Sequence, residues 1–283
     1  MIVRKEANGE QLLVGQTDHS RLAGYFASHW GNGVFATPEP FESVVRAATF
    51  HDFGYLRYES APVFNPETGG TPNFRDVLTD ANRLSEYQWC FDWLLGPDPY
   101  ASTLASTHRT GLWRGRYDAL VHPPHNILQQ KPEVDEFVAK YEAQHAKIIP
   151  ERGWDPQQMR TNYRLLQVWD LLSLYFSCES PIDEYIEPVP TSYRDADGEG
   201  VRMTIAPLGA TTIALDPYPF DVDPLRIQLV SRRMKQVTFA DHDAFIKAFF
   251  QAPLEVLQFE LVDGAQLNGE ARQHQPEPLT LPS

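Results

Sequence analysis

A chain of 283 residues with 42% apolar side chains can fill a sizeable core, and its 22% charged content argues against long disordered tracts. Its net charge of −14, with no basic cluster to outweigh it, argues against a nucleic-acid backbone or an anionic membrane as the main partner. Two cysteines, Cys90 and Cys178, follow no metal-ligand spacing and give no disulfide framework, and no apolar run has the length of a membrane span or a signal peptide, so a soluble cytoplasmic protein is expected.

In chain order, MIVRK and QLLVG are short strand-like runs around the Asn-Gly turn of EANGE. TDHSRLAGYFASHW then has the pattern of a helix capped by Thr17 or Asp18. PEPFESVVRAATFHDFGY follows as a second helix, with proline and glutamate at its start and Val44, Val45 and Ala48 on one face. Residues 59–76 form a long loop with three prolines and two adjacent glycines, a candidate lid or site wall as readily as a surface excursion. Helical patterns continue in TDANRLSEYQWCFDWLLG, DPYASTLASTHRTGLW and KPEVDEFVAKYEAQHAKII, with an irregular stretch, RGRYDALVHPPHNILQQ, between the last two. NYRLLQVWDLLSLYFSC, residues 162–178, is apolar on almost every side and is expected to be the central helix.

The pattern changes after Pro181. VRMTIAP, TTIALDPYPF and LRIQLVSRRMKQVTF carry β-branched residues and turn signals, DHDAFIKAFFQ is a short helix, and LEVLQFELV a closing strand. The fold class this implies is mainly α. A helical core over residues 16–180 would carry residues 1–15 and 181–283 as a β-rich subdomain packed on it in one integrated domain. The N-terminal hairpin and C-terminal strands would form a small antiparallel sheet.

Asp170 is the sharpest anomaly in this pattern. It stands among Leu165, Leu166, Val168, Trp169, Leu171, Leu172 and Leu174, where a charged carboxylate costs several kcal/mol unless it is paired or metal-bound. An arginine such as Arg164 is one partner that would satisfy it; a metal ion is another. His19 lies early in the first helix, His51 and Asp52 are adjacent at the end of the second apolar run, and His108 is four residues from both Leu104 and Leu112, on the interior side of its helix. Each has an ordinary packing explanation. Four helices that each turn a histidine or carboxylate towards an apolar centre are better explained by one shared ion.

The order of His19, then His51 with Asp52, then Asp170 inside LLQVWDLLSLY resembles the histidine–aspartate (HD) superfamily of metal-dependent phosphohydrolases. The chain also resembles a related uncharacterised bacterial family in QTDHSRLAG, HDFGY, PVFNPETGGTPNF, STHRTGL, NYRLLQVWDLLSLY and LDPYPF. The superfamily resemblance implies an HD-like helical core with His19, His51, Asp52 and Asp170 as metal ligands. It also implies up to two further histidines: His108, and one of His122, His125 and His145, with His125 preferred. Many members have lysine after the glycine that follows the His-Asp pair. Here that place is Tyr55, which departs from the nucleotide-hydrolysing pattern.

Histidine and carboxylate ligands with an open position suit one or two divalent transition-metal ions (Mn, Fe, Ni, Co or Zn) better than Mg, and an ion so held acidifies water. The expected function is hydrolysis of a small phosphate ester or phosphoanhydride, with Asp52 as the catalytic carboxylate. Arg21, Arg75 and Arg109 are candidate phosphate contacts, though each, taken singly, is better explained as a solvated surface residue. Two other functions are consistent with the same residues: a di-iron oxygenase of the HD-like type, and a non-catalytic metal- or ligand-binding protein.

Overall fold

The computed structural model describes residues 1–77, 83–120, 131–266 and 277–278. Strand β1 (Ile2–Lys5) and strand β2 (Gln11–Val14) form the N-terminal hairpin, and helix α1 (Gln16–Ser28) and helix α2 (Phe41–Phe50) follow. Next come α3 (Leu56–Ser60), α4 (Leu84–Leu95), α5 (Pro99–Trp113), α6 (Pro132–Glu151) and α7 (Pro156–Cys178). The remaining elements are β3 (Glu184–Val189), β4 (Val201–Pro207), β5 (Thr212–Asp216), β6 (Leu225–Met234), α8 (His242–Gln251), β7 (Leu254–Asp263) and the two-residue β8 (Glu277–Pro278).

The strands join in one mixed sheet, in the order β1-β2-β6-β7-β5-β4-β3-β8, and the seven longer ones curl into a half-barrel. β5 runs parallel to β7, and β3 parallel to β8; the other pairs are antiparallel. This overturns the expected mainly-α fold with a small antiparallel sheet. Helix covers about 48% of the chain and strand about 20%, so sheet is a principal layer rather than an appendage. The strands are visible one at a time in the sequence; their union into one sheet depends on pairings distant along the chain. β6 shows how each contributes. Leu225, Ile227, Leu229 and Ser231 alternate inward while Arg226, Gln228 and Val230 face out.

α7 lies between layers, touching α1, α2 and α5 on one side and β1 and β3 on the other. That position explains why it is apolar nearly all round. Its start is fixed by Asp155, whose carboxylate accepts from Gln157 N at 2.9 Å, with Pro156 in the first turn. α5 begins in the same way, with Asp98 accepting from Ala101 N at 3.0 Å ahead of Pro99. The loop after α3 is tied down at several points. Gly69 O accepts from Phe239 N at 2.7 Å, and Phe74 N donates to Met1 O at 2.8 Å. No helix among the described residues is long and apolar enough to cross a membrane.

Candidate metal centre

α1 is not capped by Thr17 or Asp18. Its N-cap is Gly15, and Glu59 at the end of α3 receives Gln16 N and the Thr17 hydroxyl, the latter at 2.7 Å. This fixes the rotation of α1 and turns His19 inward, where it is 1% exposed. Ser173 on α7 donates its hydroxyl proton to Asp170 O at 2.8 Å, so its Oγ must accept from His19 Nδ1–H at 2.6 Å. Nδ1 of His19 therefore carries a proton, and Nε2 is the atom turned to the carboxylates.

The second helix stops earlier than expected. α2 ends at Phe50, and Asp52 leaves helical geometry at φ −111°, ψ 18° before a short 3₁₀ turn over Phe53–Tyr55. The break lets two adjacent side chains face one point. His51 Nδ1 lies 2.8 Å from Ala48 O, a group that only accepts, so Nδ1 carries a proton and Nε2 is the atom turned to the carboxylates. Gly54 follows because a Cβ there would lie 2.6 Å from Glu86 O on α4. Tyr55 is buried and hydrogen-bonded to the Tyr87 hydroxyl at 2.8 Å.

These groups meet Asp170. His19 Nε2 and His51 Nε2 lie 3.2 and 3.5 Å from Asp170 Oδ1, and each lies 3.9 Å from Asp52 Oδ2. Ligands each ~2.1 Å from a common ion are at most ~4.2 Å apart, so these separations fit shared coordination. His108 Nε2 faces the other oxygen, Asp170 Oδ2, at 3.7 Å. Two triads result, His19–His51–Asp52 and His51–His108–Asp170, in each of which the ligating atoms lie within 4.8 Å of one another. The geometry also leaves two buried nitrogens, His51 Nε2 and His108 Nδ1, without a hydrogen-bond partner among the described residues.

The electrostatics call for positive charge at this point. Burial pulls the His51 imidazole down, but the carboxylates of Asp52 and Asp170 outweigh it and raise its pKa. Burial alone would push Asp170 up, yet His108, His19 and His51 hold it well below the usual carboxylate range. For His108 desolvation is the larger effect and lowers its pKa against the pull of Asp170.

The arginines divide. Arg109 is 2% exposed, binds Asp52 Oδ1 and lies over the Tyr87 ring with its guanidinium carbon 4.1 Å from the centroid. It leaves Asp52 Oδ2 as the oxygen facing the histidines. Arg21 is on the surface, paired with Asp18 at 3.0 Å, and Arg75 lies against Phe74 and Cys178, about two helical turns along α7 from Asp170. Arg164 does not reach Asp170; its guanidinium binds the carbonyls of Asp195, Ala196 and Glu199. His145 packs against Ser106 and Thr107 between α5 and α6. His122 and His125 lie outside the described residues. Sequence reasoning missed Arg116, whose Nη2 is 3.3 Å from Asp170 Oδ2; it belongs to an irregular stretch with no periodicity to give its direction.

A family model described as a protein of unknown function (DUF3891) matches residues 1–236. No curated protein and no solved structure matches the chain.

Proposed function

The chain belongs to the DUF3891 family of proteins of unknown function, and from the site itself we propose that it is a metal-dependent hydrolase acting on a small phosphate ester or phosphoanhydride. The observation that carries this reading is the orientation of two imidazoles. His19 and His51 commit Nδ1–H to Ser173 Oγ and Ala48 O, and so turn both Nε2 atoms onto the carboxylate of Asp170. Two ring nitrogens turned onto one buried carboxylate call for positive charge between them, which a shared metal ion supplies for both at once. Such anchored rings are the usual support of metal-ligating histidines.

His19, His51, Asp52 and Asp170 are the residues that would hold the ion, with His108 on the far side of Asp170. This nitrogen and oxygen donor set suits Mn, Fe, Ni, Co or Zn. An ion there supplies Lewis acidity, which acidifies water and offsets the charge of a phosphoryl oxygen. The protein's own groups do the rest. Ser173 and Ala48 fix the rings, and Arg109 fixes Asp52 so that Oδ2 faces the ion and any water beside it. Arg109 and Arg116 add two guanidinium charges close to where a phosphate would sit. The chain order of the four ligands, which is that of the HD superfamily, supports a distant relationship to it. The near-complete burial of all four suits a small substrate.

The test is phosphate release from p-nitrophenyl phosphate, its bis-ester and a panel of nucleotides, after chelation and after reloading with each candidate metal. The expected result is turnover that needs a transition-metal ion and falls at least roughly 100-fold in Asp52→Asn even with metal in excess. Full activity in Asp52→Asn would remove that carboxylate from the chemistry. Two irons per chain with dioxygen uptake and no phosphate release would replace hydrolysis with oxidation.

A further inference from the structure

Asp170 has two sides. Oδ1 faces His19 and His51, whereas Oδ2 faces His108 Nε2 at 3.7 Å and Arg116 Nη2 at 3.3 Å. In a two-ion centre the second ion would sit between Oδ2 and His108. A guanidinium already occupies a contact to that same Oδ2.

The backbone that delivers it is unusual. Arg116 (φ 64°, ψ 20°) and Tyr117 (φ 49°, ψ 35°) both adopt left-handed geometry, directly after Gly115 at φ 66°. Left-handed geometry is unfavourable for a residue with a Cβ, and two such residues in succession persist only where the surroundings enforce them. They are enforced here. Arg160 Nη2 donates to Tyr117 O at 2.7 Å, the Tyr117 hydroxyl donates to Glu142 Oε1 at 3.0 Å, and Ala119 N donates to Arg116 O at 2.9 Å. Three separate anchors therefore hold a strained turn whose outcome is the placing of one guanidinium on one carboxylate oxygen. That guanidinium is not saturated, because Nη1 is buried with no partner among the described residues.

Charge points the same way. The carboxylates of Asp52 and Asp170 are each matched by a contacting guanidinium, Arg109 and Arg116. One divalent ion would leave the cluster with two positive charges, which a phosphate dianion offsets. A second ion would double that excess in a buried site, where unbalanced charge is costly.

Resting on the metal-centre reading above, we infer that Arg116 takes the place of a second metal ion. The centre then holds one ion, and Arg116 Nη1 receives an oxyanion oxygen of the substrate. Inorganic phosphate is the probe. Protein stripped with a chelator and reloaded with Co²⁺ or Mn²⁺ is analysed for ion content, and the one-ion form is titrated calorimetrically with phosphate. Wild type and Arg116→Lys are expected to take up one ion. Arg116→Ala is expected to show a second, weaker binding step and to bind phosphate at least about 10-fold less tightly at one equivalent of metal. Arg116→Lys, which keeps the charge, should retain more of that affinity, and it preserves the comparison if the alanine variant folds poorly. Two ions in wild type would overturn this inference and leave the metal centre standing. So would an Arg116→Ala protein that matches wild type in ion count and phosphate affinity. A wild-type protein that takes up no ion would overturn both.

Discussion

Ser173 decides which nitrogen of His19 faces the carboxylates, because its hydroxyl proton is already committed to Asp170 O. Ser173→Ala should leave the ring free to turn, lowering affinity for Co²⁺ or Zn²⁺ by about 10- to 100-fold in competition with a chelator. An unchanged affinity would mean that His19 is held by packing alone. The four proposed ligands are legible in the sequence because imidazoles and carboxylates on apolar helices stand out against their neighbours, Asp170 among leucines most of all. Their supports are not. Glu59 reaches the α1 terminus from a distant segment, and Arg116 depends on a left-handed turn that no periodicity announces. Arg109 is visible in the sequence only as a neighbour of His108. Its inward direction, onto Asp52 and Tyr87, is a product of how α5 is rotated.

At the scale of elements, the centre depends on how closely helices approach one another. A Cβ at Gly24 of α1 would come 2.7 Å from Thr49 Cα of α2, and α1 carries His19 while His51 directly follows α2. Gly24→Ala should force them apart, costing about 1–3 kcal/mol in chemical denaturation and weakening metal binding in the same variant. A stable variant with normal metal affinity would show that the two helices can separate without disturbing the site. The α5–α6 contact has a different sensitivity. His145 Nε2 is hydrogen-bonded to Ser106 Oγ at 2.7 Å, and burial lowers the pKa of the ring to about 4. The neutral ring is favoured in the fold, so this contribution is whole above the unfolded value near 6.5 and is lost as pH falls towards about 4. The loss should reach up to ~3 kcal/mol, and His145→Gln should abolish that part of the acid sensitivity in urea melts between about pH 7 and pH 4.5. Equal pH dependence in both proteins would contradict it. Helices are easy to anticipate because each shows its own period. The sheet is underestimated from sequence because the parallel pairing of β5 with β7 joins residues 212–215 to residues 260–263, a relation no local pattern contains.

In the molecule as a whole, α7 is the common wall of both layers. Phe176 and Leu172 belong to the same core as Ile205, Leu215, Ile227 and Phe259 of the sheet, while Asp170 faces the helical side. Arg4 on β1 reaches Phe176 O at 3.4 Å and Ser180 Oγ at 3.3 Å, tying the first strand to the end of that helix. An ion that bridges α1, the end of α2 and α7 should therefore stabilise the molecule as a unit. At roughly 100-fold over Kd the linkage is worth about 2.7 kcal/mol, a rise in Tm on the order of 5 °C or more. The most direct measurement of the central claim is anomalous diffraction from a crystal loaded with Co²⁺ or Zn²⁺. The account predicts an anomalous peak within ~2.0–2.3 Å of His19 Nε2, His51 Nε2, Asp52 Oδ2 and Asp170 Oδ1 together. A well-ordered cluster with no peak among those four atoms, in crystals grown with metal in excess, would contradict it.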